Sequence, residues 1–340
     1  MASLAATLPG QRESPWSPEL SRSAPALARF DAGWYYDVAA RGYRYDAAGG
    51  VSNVHFYPLY PLLMRGLSTL TGIPLFHAGI VLSLASLLGA LLLLADLLEA
   101  RSGRAAALPG IAALLFFPTA FYFASIYTES LFLFTTAAAF WAARKGRWGI
   151  AGLSGAAACL TRLNGVLIVL PIAWYAWKSA ARPGRSLRLA AVAAPLAGAA
   201  LFPLHLWRAF GSPLLFFRAG DGTWAHRPAP PWDLFRTGGQ GALGLLASAV
   251  CLALFLTLTV SLFRRREVGE GLYAAATLLL LVSSGSLEAF PRYVLPLFPC
   301  FFALADFLRR RPVLAFAYAL GGVGVLVIFL VRFVGWRWVA

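Results

Sequence analysis

Long apolar runs with few charges are the feature that most constrains the fold of this chain. Hydrophobic residues make up 59% of the 340 residues and charged residues only 13%, whereas a soluble domain has about 25% charged residues. A helix needs about 20 predominantly apolar residues to cross a bilayer. Runs near that length lie at 74–99, 105–126, 128–143, 187–210, 241–263, 268–286, 291–308 and 312–334. They predict an all-α polytopic membrane protein with about eight full spans.

One further apolar stretch, residues 148–177, is too long for a single span. It carries a polar break, Thr161-Arg162-Leu163-Asn164-Gly165. Such breaks occur at membrane depth only where they are buried in protein or line a water-filled cavity. We therefore predict that residues 148–177 form a hairpin of two short helices.

The basic residues predict the orientation of these helices. They cluster in the connections at 101–104, 144–147, 178–188, 264–266 and 309–311. If the hairpin enters and leaves on the same side, all five clusters share one side, which the positive-inside rule makes cytoplasmic. The net charge of +15 is then explained by anchoring at the membrane, and no nucleic acid partner is expected.

These features divide the chain into five regions. Residues 1–28 form a polar tail with four prolines and no signal-peptide core, which we expect to be disordered. Residues 29–73 form a first extracytoplasmic loop, and residues 74–210 form transmembrane helices that include the hairpin. Residues 211–239 form a second extracytoplasmic loop, and residues 240–340 form the C-terminal transmembrane helices.

The predicted orientation limits the chemistry. The cytoplasmic loops are too short for a nucleotide-binding domain, and the sequence contains neither GxGxxG nor GxxxxGKS. Both long polar loops lie outside, so an active site is expected on the outer face of the plasma (inner) membrane. A transferase at that face needs a donor carried in the membrane. The three cysteines all lie in apolar runs, and we expect neither a disulfide nor a zinc site.

Five short motifs occur in the order in which they appear in the PIG-V family of mannosyltransferases. They are FDAGW with ARGY (30–43), NVHFYPLYP (53–61), YTESLF (127–132), TRLNG (161–165) and PRY (291–293). Phe30 stands where the family pattern has Trp, and His55 where it has Ala. Together the motifs cover most of the chain, which therefore resembles this family.

The resemblance implies a GT-C type glycosyltransferase that takes mannose from a polyprenyl- or dolichyl-phosphate donor and passes it to a glycolipid or another extracytoplasmic acceptor. The length and the Ala/Arg/Gly-rich composition suggest a bacterial member. Family members carry a transmembrane helix before the first motif, and residues 1–28 do not read as one. Either this tail crosses the membrane unaided or that helix is missing. No cofactor is expected.

Asp31 is the candidate catalytic base, because it matches the acid of the first family motif. Transfer to a hydroxyl needs one carboxylate that accepts the acceptor proton. The alternative role of Asp31 is the N-cap of a short helix over 32–41 that ends at Gly42. The two roles are compatible.

Arg162 and Arg292 are the candidates for binding the donor phosphate, since a guanidinium group matches phosphate oxygens with two parallel hydrogen bonds. Their alternative role is to pair with Glu129 or Glu288 and stabilise the helix bundle. Glu129 is an acid beside lipid, a costly position that usually marks a functional residue. It is expected to orient the acceptor or Arg162.

The remaining site candidates have weaker support. Sugar or acceptor contacts are also expected from Trp34, Asn53, His55, Asn164, Asp221 and Trp224. Trp and Tyr are common at membrane interfaces regardless of function, and a solvated turn explains Asp221 equally well. Without an HExxH motif or a tight cluster of His and acids, no metal site is expected.

Two other functions compete with a glycosyltransferase. A transporter or lipid flippase would show charges at mid-membrane and a repeated half-structure, whereas the sequence shows no repeat. A non-catalytic, degenerate paralogue is the second alternative.

Overall fold

The computed structural model describes residues 24–46, 52–181, 183–218, 234 and 241–339. Within these ranges the chain is helical and forms no β-strand, which confirms the predicted all-α class. The predicted disordered tail lies almost entirely outside the described residues.

The α-helices follow one another along the chain. They are α1 (Ala32–Arg41), α2 (Leu59–Thr71), α3 (Leu75–Ser102), α4 (Ala107–Leu115), α5 (Glu129–Arg144), α6 (Trp148–Thr161), α7 (Val169–Lys178), α8 (Arg185–Phe210), α9 (Leu215–Arg218), α10 (Gly241–Arg264), α11 (Val268–Val282), α12 (Phe290–Tyr293), α13 (Phe298–Arg309) and α14 (Pro312–Val334). Among the described residues, 3₁₀ helices lie at Arg104–Ala106, Ala120–Ala124 and Leu163–Ile168.

Four of these helices, α3, α8, α10 and α14, are long and apolar enough to cross a membrane. The protein is therefore a multi-pass membrane protein. The other apolar helices are shorter: α11 has 15 residues and α13 has 12. The predicted span 105–126 is not one helix, because α4 ends at Leu115 and a 3₁₀ helix follows Pro118. The count of eight full spans stays a prediction.

The polar break in 148–177 interrupts the helix. α6 ends at Thr161, Arg162 has an extended backbone (φ −155°, ψ 153°), and a 3₁₀ helix leads into α7. A Cβ atom on Gly165 would lie 2.2 Å from the carbonyl oxygen of Ala158. Since only glycine permits so close an approach of two backbones, the chain can fold back directly on the end of α6.

Small residues bring α6 and α8 into close contact. A Cβ atom on Gly152 would lie 2.9 Å from the Cα of Ala191, and one on Gly198 would lie 2.7 Å from the Cα of Ala156. Helices in membranes associate through such small residues, because apolar side chains gain nothing by leaving lipid. This contact fixes the hairpin against a long helix of the bundle.

Several of the basic connections meet at one end of the bundle, here called the basic end. Arg101 Nε donates to Glu267 Oε1 at 2.7 Å, Lys145 lies 2.7 Å from Asp96 Oδ2, and Arg144 lies 3.7 Å from Glu270 Oε1. The start of α5, at Glu129, is one helix length away. With a rise of about 1.5 Å per residue, α5 separates the two ends by roughly 24 Å.

Candidate functional site

Asp31 lies at the N-cap of α1, but its carboxylate does not cap the helix. The residue is only 4% exposed. Instead, Asp31 Oδ2 accepts a hydrogen bond from Arg292 Nη1 at 2.9 Å. The capping role considered from the sequence is therefore absent in the structure, and the carboxylate points to a partner that is 261 residues away in the chain.

Arg292 joins two acids. Besides its bond to Asp31, its Nε donates to Glu129 Oε1 at 2.7 Å. The guanidinium carbon lies 4.9 Å from the ring centre of Tyr122 and 4.4 Å from that of Tyr127. Aromatic faces attract a cation, so these rings help to hold a buried charge. Arg292 pairs with Asp31 and Glu129 and not with Glu288, which is exposed.

Glu129 connects Arg292 to the hairpin break. It is fully buried at the start of α5, and its Oε1 also accepts from Arg162 Nη2 at 3.1 Å. Asp31, Arg292, Glu129 and Arg162 thus form an alternating row of two carboxylates and two guanidinium groups, here called the charge row. Its formal charge is zero, which burial requires, since an unpaired charge in a low-dielectric interior is costly.

The charge row is not fully satisfied. Glu129 Oε2 and Arg162 Nη1 are buried and make no hydrogen bond to any residue that the structure describes. Buried polar atoms of this kind are uncommon in folded proteins, and a bound ligand is one reason for them. Both atoms lie at the Arg162 end of the row, where the side chain is 12% exposed, compared with 4% for Arg292.

Tyr127 organises the backbone around Asp31. Its hydroxyl donates to the carbonyl oxygen of Arg29 at 3.0 Å, and the Asp31 N–H donates to the same hydroxyl at 3.3 Å. The ring also lies against Arg292. The sequence did not identify Tyr127 as a site residue. Its position two residues before Glu129, in an apolar context, is the signal that could have done so.

Burial raises the pKa of the Asp31 carboxyl above its ordinary value of 3.8, and the nearby Arg292 opposes this shift without cancelling it. Desolvation disfavours the charged form of an acid. A higher pKa makes a carboxylate a better proton acceptor, which suits a general base.

Other predicted contact residues are engaged inside the protein. Asn53 is fully buried; its amide donates to Asp37 Oδ2 at 2.8 Å and to the Gly42 carbonyl, and its oxygen accepts from the Arg44 N–H. Trp34 is 6% exposed and stacks on Phe56 with ring centres 5.8 Å apart. These contacts order the first loop, and a contact with sugar stays a prediction for both residues.

The remaining predicted residues are less constrained. His55 and Asn164 are half-buried, in the segment before α2 and in the turn after Arg162. Asp221 and Trp224 lie outside the described residues. In the part of the chain that the structure describes, no group of three or more His, Cys, Asp or Glu could hold a metal ion.

The helices that the structure describes and the buried row of alternating acids and arginines between them define a polytopic integral membrane protein. Residues 13–182, half of the chain, match the family described as Mannosyltransferase (PIG-V). The chain belongs to this family, which supports a glycosyltransferase activity. Comparison with curated proteins and with solved structures gives no match.

Proposed function

We propose that the protein transfers mannose from a polyprenyl-phosphate donor to a glycolipid or another acceptor, with Asp31 as general base. The observation that carries this proposal is the charge row, which brings Asp31, Arg292, Glu129 and Arg162 together from four separate parts of the chain. Family membership supplies the sugar-transfer chemistry.

In the proposed reaction the acceptor hydroxyl attacks the anomeric carbon and gives its proton to Asp31. The new bond joins the acceptor oxygen to that carbon, while the bond from the carbon to the phosphate oxygen breaks and its electron pair leaves with the polyprenyl phosphate. Such a displacement inverts the anomeric centre. It needs one carboxylate within hydrogen-bond reach of the hydroxyl. Asp31 Oδ2 is held by Arg292, and Oδ1 is the oxygen assigned to the proton.

Arg162 is the better candidate for the leaving phosphate. Its Nη1 makes no hydrogen bond to the described residues, and its side chain is the more exposed of the two arginines in the row. A guanidinium group that meets a developing phosphate charge in a dry site stabilises the transition state. Arg292, which holds two carboxylates, is assigned to keep Asp31 and Glu129 in place.

The proposed active site lies on the extracytoplasmic face. Support comes from the gathering of basic connections at the opposite end of the bundle, since lysine and arginine are enriched in cytoplasmic loops. A nucleotide sugar is not expected on the outer face, so the donor is proposed to be lipid-linked.

Incubation of membranes with radiolabelled polyprenyl-phosphate mannose, or with GDP-mannose, tests the donor. Because the donor itself is extracted with lipid, the products are separated from it by chromatography. Label from the lipid-linked donor should appear in a glycolipid or protein product distinct from the donor, and the amount of this product should fall at least about a hundredfold with the Asp31→Asn variant. Transfer from GDP-mannose alone contradicts the proposal. Absence of transfer from either donor favours the transporter or the non-catalytic paralogue.

Cysteine labelling of intact cells tests the side of the membrane. Arg41, beside the first loop motif, and Arg310, at the basic end, are both exposed. An impermeant thiol reagent should label Arg41→Cys and not Arg310→Cys. The reverse pattern would place the site in the cytoplasm.

A further inference from the structure

The last helix, α14, is largely exposed, and within it Gly322 and Phe333 are the buried residues. It contacts the bundle midway, where the Tyr318 hydroxyl donates to the Ala113 carbonyl at 2.6 Å, and at its C-terminal end. Phe333 is completely buried, with ring centres 5.2 Å from Phe121 and 6.0 Å from Tyr127. Much of the surface of α14 is exposed and can face lipid, whereas its C-terminal end packs against the charge-row region.

The residues that follow α14 surround Phe30, the neighbour of Asp31. The ring centre of Phe30 lies 5.6 Å from that of Phe333, 5.5 Å from that of Trp336 and 5.3 Å from that of Trp338. We call Phe333, Trp336 and Trp338 the aromatic clamp. Arg29 strengthens the contact, because its Nε donates to the Val334 carbonyl at 3.1 Å and its guanidinium lies 5.1 Å from the Trp336 ring.

Phe30 has a backbone conformation that needs such support. Its φ is +48°, in the left-handed region that residues with a Cβ rarely adopt. This conformation aims the next residue, Asp31, at Arg292. Residues in disfavoured conformations persist where surrounding contacts hold them, and they are concentrated at functional sites.

Trp336 occupies a position that usually belongs to glycine. The N–H of Arg337 bonds to the carbonyl of Arg332 at 2.8 Å and that of Trp336 to the carbonyl of Phe333 at 3.1 Å. This pair of bonds is the Schellman ending of a helix, in which the left-handed residue is commonly Gly. Trp336 takes that place with φ +59°, so its backbone alone does not explain why a large ring stands there.

The same ending occurs at two other helices. At the end of α5 the left-handed residue is Gly146, and at the end of α10 it is Arg266, with φ +61°. Arg266 is exposed. Arg266 therefore serves as an internal control. It is a bulky residue in the same left-handed position at a helix end, but it has no aromatic ring that packs on the charge-row region.

We infer that the aromatic clamp is a positioning element of the active site: its rings hold Phe30 in the left-handed conformation and thereby keep the Asp31 carboxylate on Arg292. The clamp lies outside the residues that match the family, 13–182. The catalytic part of this inference rests on the proposed function. The structural part, that the clamp holds the Phe30–Asp31 backbone in its buried conformation, does not rest on the proposed function.

Replacement of Trp336 by glycine separates the ring from the backbone. Glycine suits the left-handed position, so Trp336→Gly should preserve the helix ending while it removes the ring from Phe30 and Arg29. Because small displacements of reacting groups can cost up to about a hundredfold in rate, we expect kcat to fall at least about tenfold with little change in the KM for the donor. Trp336→Phe should restore most of the rate, and Arg266→Gly should behave as wild type.

A second measurement does not depend on activity. Ala32, next to Asp31, is completely buried, and Ala32→Cys reports on opening of this segment to a thiol reagent. The three native cysteines are buried. Their background labelling is measured in protein that lacks the Ala32→Cys change. Labelling should be several-fold faster with Trp336→Gly than with Arg266→Gly, because the loss of packing promotes local opening.

The outcomes are distinct. If wild type does not transfer mannose, the proposed function fails, and the labelling rates still decide whether the clamp closes this segment. Equal labelling rates for Ala32→Cys alone and for Ala32→Cys combined with Trp336→Gly overturn the inference. So does faster labelling with an unchanged kcat, or an equal effect of Arg266→Gly.

Discussion

Two groups of buried charges, at opposite ends of the bundle, have the same chemical composition. In the charge row, Arg292 joins Asp31 to Glu129, and Glu129 also binds Arg162. At the basic end, Arg101 joins Glu267 and Asp306, with 2.7 Å to each, and Asp306 also accepts from Arg265 at 2.5 Å. We call this second group the basic-end row.

Each row has one buried arginine between two carboxylates and a more exposed arginine at its end; in the basic-end row a second exposed arginine, Arg309, lies 3.9 Å from Asp306. The side chains of Arg292 and Arg101 are 4% and 6% exposed, whereas those of Arg162 and Arg265 are 12% and 38% exposed. Pairing of buried charges therefore does not identify an active site. Both rows satisfy the same requirement, that charges removed from water have partners.

The rows differ only in part in the backbone that carries them. Three residues of the charge row adjoin irregular backbone: Asp31 follows Phe30 at φ +48°, Arg292 lies three residues after Ala289 at φ +56°, and Arg162 itself is extended. In the basic-end row, Arg101 and Asp306 lie in the last turns of regular helices, whereas Arg265 and Glu267 flank Arg266 at φ +61°. Irregular backbone is typical of functional sites, but it occurs beside both rows and does not separate them. The four residues of the charge row also lie in the family motifs, and on this ground we propose that the charge row carries the chemistry and that the basic-end row anchors helices.

The strongest test of this assignment is Asp31→Asn. The amide oxygen can still accept from Arg292 Nη1, and no cap is lost because Asp31 makes none. Loss of a general base costs about 10²–10⁴-fold in rate, so we expect transfer to fall at least about a hundredfold. The change leaves one uncompensated positive charge in the buried row, so the midpoint of thermal unfolding in detergent should fall as well, and the specific activity of the folded protein is the deciding measurement. Transfer at a near wild-type rate would remove Asp31 as base and direct attention to Glu129 or Asp37.

Arg162→Lys tests phosphate binding and has a matched control. Lysine keeps the charge but loses the planar pair of donors, and loss of one transition-state donor costs about 10²–10³-fold. Since part of the charge interaction survives, we expect transfer to fall at least about tenfold while the protein accumulates normally. Arg265→Lys, the equivalent change at the end of the basic-end row, should leave specific activity unchanged and lower stability at most slightly, because Arg265 is 38% exposed.

A lower protein level with intact specific activity for Arg162→Lys would assign Arg162 to structure. The two rows would then have the same role.

The sequence predicted the members of the charge row better than their arrangement. Motif resemblance selected Asp31, Glu129, Arg162 and Arg292 one at a time, and it left open whether the arginines pair with acids or bind phosphate. Pairing across 261 residues, as between Asp31 and Arg292, depends on how the helices pack, which no local pattern contains. The polar break at Arg162 was predictable, because polar backbone and a charge inside an apolar run must be buried in protein or face a water-filled cavity.

The parts that the sequence missed depend on tertiary contacts. The sequence did not single out Trp336 and Trp338, and only their position against Phe30 suggests a role for them. The bonds of the Asn53 amide within the first loop were not predictable either. Asp37 is buried and accepts two bonds at 2.7 Å from Arg44.

The pH dependence of transfer follows from the raised pKa of Asp31. A base acts only when ionised, so transfer should fall as the pH falls through a pKa that lies above 3.8. Arg292 is the largest influence that opposes the effect of burial. Arg292→Gln should therefore move the acidic limb of kcat to higher pH. If the acidic limb of kcat stays in place with Arg292→Gln, the titrating group is not Asp31. The same conclusion follows if the limb persists in the residual activity of Asp31→Asn.

Asp306→Asn should have the smallest effect on transfer. Asp306 accepts from Arg101 and Arg265 at the basic end, and loss of a hydrogen-bond partner for charged groups costs roughly 1.5–3 kcal/mol. We therefore expect a lower midpoint of thermal unfolding in detergent, with specific activity of the folded protein close to wild type. Asp31→Asn should lower the midpoint as well, so the two variants are distinguished by specific activity, which should fall at least about a hundredfold only with Asp31→Asn. If Asp306→Asn lowers kcat at a temperature where it stays folded, the basic-end row influences catalysis across the length of α5, and the division between a catalytic and an anchoring row is wrong.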